Sequence, residues 1–382
     1  MVQRLLRIFD HNAIPSAAGR KIFEALENAG YIDLTSSVSP TNDASIELLP
    51  LIRSLPANLQ KICSLLLYGG NIVIDDSILE TIEPFRELQT AGLVTIENDR
   101  IYLNGLCLYA IHGLLYFADF PNGRQPLYYG TDSEALVTRL PAYCGFGKRV
   151  LDYCSGPGIQ GLVCAKMGCS SVTGVEINPV AAELARCNAV LNGLEAQYRV
   201  LNTSIRDSSS ALSGDTFDLI CANPPLLPVP AELCYPIVGD GGEDGVDITR
   251  DIIAAGVPLL SSTGHLLSLG MSACYGSKIA IEELITGAVE RYKVNANLIL
   301  LSEVVIKDGC EWTRSMADSI NLYLVDDNKI QQSSVYEAYR KAGVSKVLSY
   351  SFSIAADNER DCHTHSIVDY RKARSNVLSW WV

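Results

Sequence analysis

The fold is decided by one stretch of the chain, Val150–Gly161, which reads VLDYCSGPGIQG. An apolar run of strand type ends in a cluster of glycines, and a helix-forming segment follows. Glycine lets the backbone turn sharply and approach a bound ligand closely. The N-terminus of the following helix offers unpaired N–H groups that attract polar ligands. The stretch therefore predicts a strand, a ligand-binding turn and a helix in immediate succession.

Two acidic residues accompany this turn. Asp152 lies just before the glycines, and Glu176 lies 20 residues after Gly156, at the end of the next predicted strand. The spacing of Glu176 matches the dinucleotide fingerprint, in which the acid accepts ribose hydroxyls. It fits equally well the loop with which class I methyltransferases bind S-adenosylmethionine (SAM), where an acid precedes the glycines. An acid at position 152 suits the SAM ammonium and is an unfavourable neighbour for a pyrophosphate.

Short apolar runs alternate with helical segments on both sides of the turn, which is typical of a doubly wound α/β fold. The predicted strands are Arg149–Tyr153, Ser171–Glu176, Tyr198–Leu201, Phe217–Ala222, His265–Leu269, Leu298–Val305 and Ile320–Val325. A helix from Pro179 to about Leu191 has Asn178 as its N-cap and proline at its first position. The sequence thus predicts a Rossmann-like, seven-stranded, mostly parallel sheet with Glu176 at its ligand-binding edge.

The fourth strand runs directly into Asn223-Pro224-Pro225-Leu226. Methyl transfer needs a nitrogen lone pair held in line with the donor bond, roughly 3–3.5 Å away. The Asn223 side-chain oxygen and the Pro224 carbonyl can accept the two N–H groups of an amine or amide and so orient it. Both residues precede a proline, which favours extended backbone and aims the two acceptors.

Taken with the acid-plus-glycine loop and Glu176, this motif resembles the class I SAM-dependent methyltransferases of the NPP[YF] type. The resemblance covers about Thr131 to Val325. That group includes the protein-glutamine N5-methyltransferases and enzymes that methylate exocyclic amines of adenine or guanine. The resemblance implies that SAM is the cofactor, that Asn223 and Pro224 are the catalytic pair, and that no separate strong base is required.

The resemblance also implies contacts for the two ligands. The predicted SAM contacts are Asp152, Cys154, Gly156, Gly158, Glu176, Ile177, Asn202, Ser204 and Asn223. The predicted substrate contacts are Tyr128, Tyr129 and Leu226. Cys154 replaces the first glycine of the family loop, with little expected loss of SAM binding. Leu226 replaces the aromatic residue that would stack on a planar base, which favours a small metabolite or a peptide over a nucleobase.

Residues 1–125 are predicted to form a smaller, helical, winged-helix-like domain, followed by a catalytic domain over residues 126–382. Apolar spacing predicts a helix around 59–67, a second helix over about 77–91, and a hairpin from strands at 93–96 and 100–103. Residues 1–140 carry 10 Lys and Arg against 16 Asp and Glu, so DNA binding is not expected. A structural cap or a substrate-side lid is predicted instead. The Thr131-x-x-Glu134 capping box predicts a helix to about Leu140.

Composition narrows the class of protein further. The 382 residues are 48% hydrophobic and carry a net charge of −13, which argues against a large nucleic-acid footprint. No apolar run reaches the roughly 18–20 residues that a membrane span needs, and no signal peptide is recognised. The 12 cysteines have no C-x-x-C spacing, which indicates reduced thiols and a cytoplasmic location.

The acidic loop 239–247 lacks EF-hand spacing, so no metal is predicted. Residues 311–314 are predicted to lie on a loop that could cover the site.

Three alternatives remain open. The first is a methyltransferase acting on protein glutamine or RNA, which a basic strip beside the cleft would favour. The second is an enzyme of the same fold that cyclises the aminocarboxypropyl arm of SAM and releases methylthioadenosine. The third is a winged-helix regulator without enzymatic activity, against which the intact Asn-Pro-Pro motif argues. The identity of the acceptor and the oligomeric state are left open.

Overall fold

The computed structural model describes residues 7–37, 50–120, 126–324, 329–356, 363–371 and 380. The chain divides into two compact units. The first comprises Met1–Val137 with Ser155–Thr203, and the second comprises Thr138–Cys154 with Ser204–Val382. The glycine stretch therefore begins in the second unit and continues, through the Cys154–Ser155 peptide bond, into the first.

The first unit begins with helices and two small sheets. Its helices up to residue 82 are α1 (Ala18–Asn28), α2 (Tyr31–Ser36), α3 (Ala57–Leu66) and α4 (Leu79–Ile82). Its small strands are β1 (Ile72–Val73), β2 (Thr95–Glu97), β3 (Arg100–Tyr102), β4 (Leu106–Ile111) and β5 (Leu114–Asp119). Strands β2 and β3 form the predicted hairpin, with β1 added along β3. The predicted helix around 59–67 is confirmed as α3.

The second predicted helix, over about 77–91, is only partly right. The chain forms α4 and then a 3-10 helix over Glu83–Leu88. Pro84 lies at the start of the 3-10 segment and has no N–H to continue an α-helical hydrogen-bond ladder. The periodicity of the apolar residues therefore located the helical segment but not its break.

The rest of the first unit is an α/β segment. Its elements are α5 (Thr131–Val137), α6 (Ile159–Lys166), β7 (Ser171–Glu176), α7 (Pro179–Leu191) and β8 (Tyr198–Asn202). Strands β7 and β8 pair in parallel and place Glu176 beside Asn202 at their carboxyl ends. Helix α7 is confirmed with both predicted bounds. The Asn178 side chain caps it by accepting the N–H of Val180 at 3.0 Å.

The second unit contains the larger part of the sheet. Its strands are β6 (Arg149–Tyr153), β9 (Phe217–Ala222), β10 (Leu260–Tyr275), β11 (Lys278–Ile279), β12 (Asn295–Val305), β13 (Lys346–Ala355) and β14 (His365–Asp369). Their order is β14-β12-β13-β10-β9-β6, and β11 pairs with β10. Strands β6, β9 and β10 run parallel, whereas β13 lies antiparallel between β10 and β12. The predicted α/β class with a mostly parallel sheet is confirmed.

Helices complete the second unit: α8 (Ile205–Ala211), α9 (Asp247–Gly256), α10 (Ala280–Tyr292), α11 (Glu311–Tyr323) and α12 (Gln332–Lys341). The predicted strand Ile320–Val325 is wrong, because residues 320–323 are the last turn of α11. Trp312, Met316 and Ile320 recur every four residues and are buried on one helix face. Residues 311–314 therefore form the first turn of a helix and not a covering loop.

The last strand of the core, β13, was not predicted. Its sequence alternates serine with apolar residues from Leu348 to Ile354, which is the period-two pattern of a strand. Ten residue pairs join it to β10, and a similar ladder joins it to β12. The serines at 349 and 351 are themselves buried, because both edges and both faces of this strand are covered. The strand signal was therefore present, although a serine-rich run resembles a loop by composition.

Candidate active site

The first unit holds the glycines and the acid that the sequence predicts to bind a ligand. Glu176 ends β7 and is 8% exposed. Its two carboxylate oxygens each accept one backbone N–H, from Gly156 at 2.8 Å and from Asn178 at 2.7 Å. Burial raises the pKa of this carboxyl above its usual range, and the N–H bonds from Asn178 and Gly156 offset part of that shift. Each oxygen keeps lone-pair capacity for a further donor.

The two glycines of the turn have different structural roles. Both have positive φ, +54° at Gly156 and +98° at Gly158. A Cβ on Gly158 would lie 3.0 Å from the ring of Tyr198, so this glycine permits close packing of α6. A Cβ on Gly156 would meet no atom within 4 Å. Open space beside Gly156 is what a loop that approaches a ligand requires.

The cysteine that replaces the first family glycine keeps that glycine's conformation. Cys154 has φ of +56°, in the left-handed region. This conformation costs an L-residue about 1–2 kcal/mol. The turn therefore needs glycine-like geometry at residue 154 even though the sequence supplies a thiol there.

We expect Cys154→Gly to stabilise the fold by about 0.5–1 kcal/mol, because relief of the strain exceeds the entropy lost by glycine on folding. Cys154→Ala is the matched control, since it removes the thiol and keeps the strain. Denaturant unfolding of both variants measures the effect. Equal stability of the glycine and alanine variants would show that relief of the strain does not exceed the entropy that glycine loses on folding.

Asp152 lies inside the sheet of the second unit. It is fully buried, and β6 places it directly beside Cys221 of β9. The Cys221 thiol donates to Asp152 Oδ1 over 3.7 Å. The residue sits two positions before Cys154, at the carboxyl end of β6. Its carboxyl group therefore lies close in sequence to the turn that begins at Cys154.

The Asn-Pro-Pro motif follows the end of β9 in the same unit. Strand register places Ala222, the residue before Asn223, between Tyr153 of β6 and Ser268 of β10. The buried Ser268 hydroxyl donates to the Ala222 carbonyl at 2.9 Å. Asn223 therefore leaves the sheet from a fixed point, next to the strand that carries Asp152. Ser268 was not singled out by the sequence, because a serine inside a strand gives no local signal.

The chain after the motif is held by the glycine-rich acidic loop. Leu227 and Gly241 are joined by a backbone hydrogen bond, as are Leu227 and Gly239, both at 2.9 Å. Arg250 forms ion pairs with Asp244 and Asp247. The loop thus orders residues 226–229 and opens α9 at Asp247, as predicted. Arg250 therefore supplies positive charge to these two carboxylates.

Three of the predicted SAM contacts lie near the ends of β7 and β8: Asn202, Ile177 and Ser204. Asn202 Nδ2 donates to the carbonyls of Glu176 and Ile177, at 2.8 and 3.1 Å, and so fixes the turn that follows β7. Ile177 is 58% exposed, which is unusual for a large apolar side chain. In the second unit, the Ser204 hydroxyl caps α8 by accepting the Asp207 N–H at 3.1 Å. The same hydroxyl donates to Asp207 Oδ2 at 2.6 Å, so its one donor is already used and only acceptor capacity remains for a ligand.

The two predicted substrate tyrosines differ. Tyr128 is half-buried, and its hydroxyl donates to Asp132 at 2.6 Å. Tyr129 does not fit its predicted role. It is 2% exposed, its ring packs against Tyr109 and Tyr116, and its hydroxyl donates to Glu134. Tyr129 is a core residue, because tertiary packing encloses a side chain that was predicted to contact the substrate.

The Glu134 side chain does not have its predicted role in a helix capping box. Its carboxylate contacts the Tyr129 hydroxyl and His112 Nε2, which lies 2.8 Å away. The side chain is almost fully buried. It therefore joins the β4–β5 turn to helix α5 and does not close the capping box that the spacing predicts.

One group of possible metal ligands occurs within the described residues: Asp10, His11 and Glu183. Glu183 also forms an ion pair with Arg186 at 2.9 Å. The guanidinium already supplies positive charge to this carboxylate. We assign no metal function to the group.

Comparisons with known proteins identify the family of this chain. Residues 129–297 match the family model "Methyltransferase small domain". A protein of Methanocaldococcus jannaschii, named "putative protein N5-glutamine methyltransferase", is 32% identical over 141 residues, which are 36% of this chain and 68% of that protein. The chain therefore belongs to the methyltransferase small-domain family of SAM-dependent enzymes. It is a SAM-dependent methyltransferase, as the glycine loop and the Asn-Pro-Pro motif predict.

Two further relatives show the breadth of the family. The 4-amino-L-phenylalanine/4-methylamino-L-phenylalanine methyltransferase of Streptomyces pristinaespiralis is 32% identical over 35% of this chain and 46% of its own length. The ribosomal protein uL3 glutamine methyltransferase of Bradyrhizobium diazoefficiens is 27% identical over 44% of this chain and 54% of its own length. The matches thus span about half the length of these two relatives. No helix of the described residues is both long and apolar enough to cross a membrane.

Proposed function

We propose that this enzyme transfers the SAM methyl group to a nitrogen of a small metabolite or a peptide, and that Asn223 and Pro224 orient the acceptor. The observation that carries the proposal is the placement of Asn-Pro-Pro directly after β9, beside the strand that bears Asp152. A nitrogen held by two acceptors loses rotational freedom and presents its lone pair to the donor. The proposed rate enhancement comes from orientation, without a strong base: the nitrogen–methyl bond forms as the sulfur–methyl bond breaks, S-adenosylhomocysteine leaves, and the methylated nitrogen loses its proton to water after transfer.

The residues present suit SAM. Glu176 offers two carboxylate oxygens, and each still has capacity for a ribose hydroxyl. Gly156 leaves open space on its Cα, and the exposed Ile177 offers an apolar surface to an adenine ring. We propose that Asp152 acts on the SAM ammonium through its charge, because its side chain is fully buried. We propose Gly158, Cys154, Asn202 and Ser204 as further SAM contacts. When bound, SAM supplies an electrophilic methyl group.

The acceptor class is inferred from Leu226, net charge and the relatives. Leu226 has no π-face to stack on a nucleobase, and the chain carries −13 overall. Two relatives are named for glutamine methylation and one for an amino acid with an aromatic amine. One of the glutamine names specifies the N5 nitrogen, and the name of the third relative specifies amino-substituted acceptors. We therefore propose an amine or side-chain amide, with Leu226 and Tyr128 contacting its apolar part.

The remaining proposals concern the domain organisation of the chain and its location in the cell. We propose that residues 1–125 form an accessory domain on the substrate side, and that residues 126–382 form the catalytic domain. The family match, which begins at residue 129, supports this boundary. A cytoplasmic location is proposed because buried cysteines such as Cys63 and Cys187 are reduced and form no disulfide among the described residues.

The direct test is incubation with SAM and defined acceptors, followed by mass spectrometry. The probes are 4-amino-L-phenylalanine, a glutamine-containing tripeptide, a short RNA and buffer alone. The proposal expects a methylated nitrogen on one of the first two, with one S-adenosylhomocysteine per methyl group. Methylation of the RNA alone would contradict the acceptor class. Methylthioadenosine in the buffer sample would instead support the cyclisation reaction.

Affinity for S-adenosylhomocysteine should fall as the pH is lowered through the raised pKa of Glu176. Protonation removes a charged acceptor for the ribose hydroxyls, and burial makes this occur at a higher pH than for an ordinary glutamate. Fold stability should respond in the opposite direction. A raised carboxyl pKa means that the folded state binds the proton more tightly, so this contribution to stability grows as pH falls.

Calorimetric titration across the acidic range measures the affinity, with Glu176→Gln as the control. The glutamine variant has no titrating group at this position, so its affinity should vary much less over the same pH range. A wild-type profile as flat as that of the variant would show that Glu176 does not contact the ligand.

We expect no tight binding of duplex nucleic acid. The net charge of −13 disfavours a phosphate footprint, which normally needs clustered lysine and arginine. A fluorescence titration with duplex DNA and RNA at low salt gives the most sensitive test, because the electrostatic contribution is then largest. Submicromolar affinity that weakens steeply with added salt would contradict the expectation.

A further inference from the structure

Two asparagines on one face of α7 bind the backbone of strand β5. Asn188 and Asn192 lie four residues apart, so their side chains project from the same side of the helix. Asn188 contacts Phe117, and Asn192 contacts Leu115. In each pair the amide oxygen accepts the backbone N–H at 2.9 Å, and the amide nitrogen donates to the backbone carbonyl of the same residue.

This arrangement completes the hairpin. Phe117 and Leu115 face Leu108 and Ala110 across the β4–β5 ladder. The β4–β5 sheet has two strands, so one edge of β5 has no strand partner among the described residues. A buried edge with unmet N–H and C=O groups is costly. The two side-chain amides take the place of a third strand.

The second amide hydrogen of Asn192 stays within the helix and is donated to the carbonyl of Asn188 at 2.7 Å, whereas that of Asn188 reaches a different segment. The second amide hydrogen of Asn188 is donated to the carbonyl of Pro157 at 3.0 Å, while Asn188 itself is fully buried. Pro157 lies between Gly156 and Gly158 in the ligand-binding turn. The Asn188 side chain therefore connects the β4–β5 hairpin to the Pro157 peptide at the centre of the glycine loop. All of these residues belong to the first unit.

We propose that Asn188 is a positioning residue for SAM binding, which fixes the Pro157 peptide and couples the glycine loop to the β4–β5 hairpin. The inference rests on the proposed role of Gly156 and Gly158 in holding SAM, and it is independent of the acceptor. Because coupling between two sites is reciprocal, occupation of the loop should also stabilise the hairpin.

Asn192→Ala is the matched control for Asn188→Ala. Each variant removes two hydrogen bonds from β5, whereas only Asn188→Ala releases the glycine loop. Both variants should lower the melting temperature. We expect S-adenosylhomocysteine affinity, measured by calorimetry well below both melting temperatures, to weaken about 10-fold in Asn188→Ala and less than about 2-fold in Asn192→Ala. Equal losses in the two variants, or no loss in Asn188→Ala, would overturn the inference.

Hydrogen exchange of the wild-type protein tests the coupling if Asn188→Ala does not fold. S-adenosylhomocysteine should slow exchange in peptides that cover 114–119 and leave those that cover 95–102 unchanged, since no hydrogen bond among the described residues joins the latter hairpin to the glycine loop. Unchanged exchange at 114–119 would overturn the coupling. If the wild type binds no S-adenosylhomocysteine at all, the proposed SAM site fails. If it binds and the Asn188 variant binds equally well, only the inference fails.

Discussion

Asn223→Ala should lower turnover by about 10²–10³-fold while leaving S-adenosylhomocysteine affinity nearly unchanged. An orienting hydrogen-bond acceptor acts on the reacting nitrogen, so its loss affects the chemical step, with a magnitude comparable to that of one oxyanion-hole donor. The proposed ribose contact, Glu176, is not altered by this substitution. Single-turnover rates, measured beside the dissociation constant of S-adenosylhomocysteine, separate the two effects.

Asn223→Asp serves as the second variant, because it keeps the shape of the side chain and adds a negative charge near a sulfonium. We expect slow turnover with SAM affinity retained or increased. If both variants lose affinity in proportion to activity, Asn223 is a cofactor contact. If neither slows by more than a few-fold, Asn-Pro-Pro does not orient the acceptor.

Glu176→Ala should weaken S-adenosylhomocysteine binding by about 1.5–3 kcal/mol, the range for loss of hydrogen bonds to a charged acceptor. The carboxylate also holds the N–H groups of Gly156 and Asn178, so the variant loses loop order as well as ribose acceptors. Isothermal titration calorimetry gives the difference in binding free energy directly.

NAD provides the ligand control for the Glu176 variant. The dinucleotide fingerprint shares the glycines and the acid, but Asp152 disfavours a pyrophosphate. S-adenosylhomocysteine should raise the melting temperature of the wild type, and NAD should not. Stabilisation by NAD that is lost in Glu176→Ala would contradict the assignment of this loop to SAM.

The parts of the site that were predictable are those whose chemistry is local in sequence. The turn at 154–158 needs positive φ, and glycines supply it at two of those positions. Helix α7 carries its cap and its first-turn proline in adjacent residues, so both bounds were predicted. The two prolines after Asn223 likewise constrain their own neighbours.

The parts that were missed depend on contacts between distant residues. Asn188 binds Phe117, 71 positions away, and nothing near it in sequence indicates that role. The burial of Tyr129 depends on Tyr109 and Tyr116, which belong to the β4–β5 hairpin. In the last turn of α11, apolar and polar residues alternate as they do in a strand. The buried face formed by Met316 and Trp312, one and two turns earlier, is what identifies the segment as a helix.

The most direct test of the account is the fate of SAM in the presence and absence of an acceptor. Wild type and Asn223→Ala are each incubated with SAM alone and with SAM plus an amine or glutamine acceptor, and the products are identified by mass spectrometry. The account predicts S-adenosylhomocysteine and an N-methylated acceptor in equal amounts, formed by the wild type only when acceptor is present and much more slowly by the variant. Release of methylthioadenosine from SAM alone, at a rate that added acceptor does not change, would contradict it.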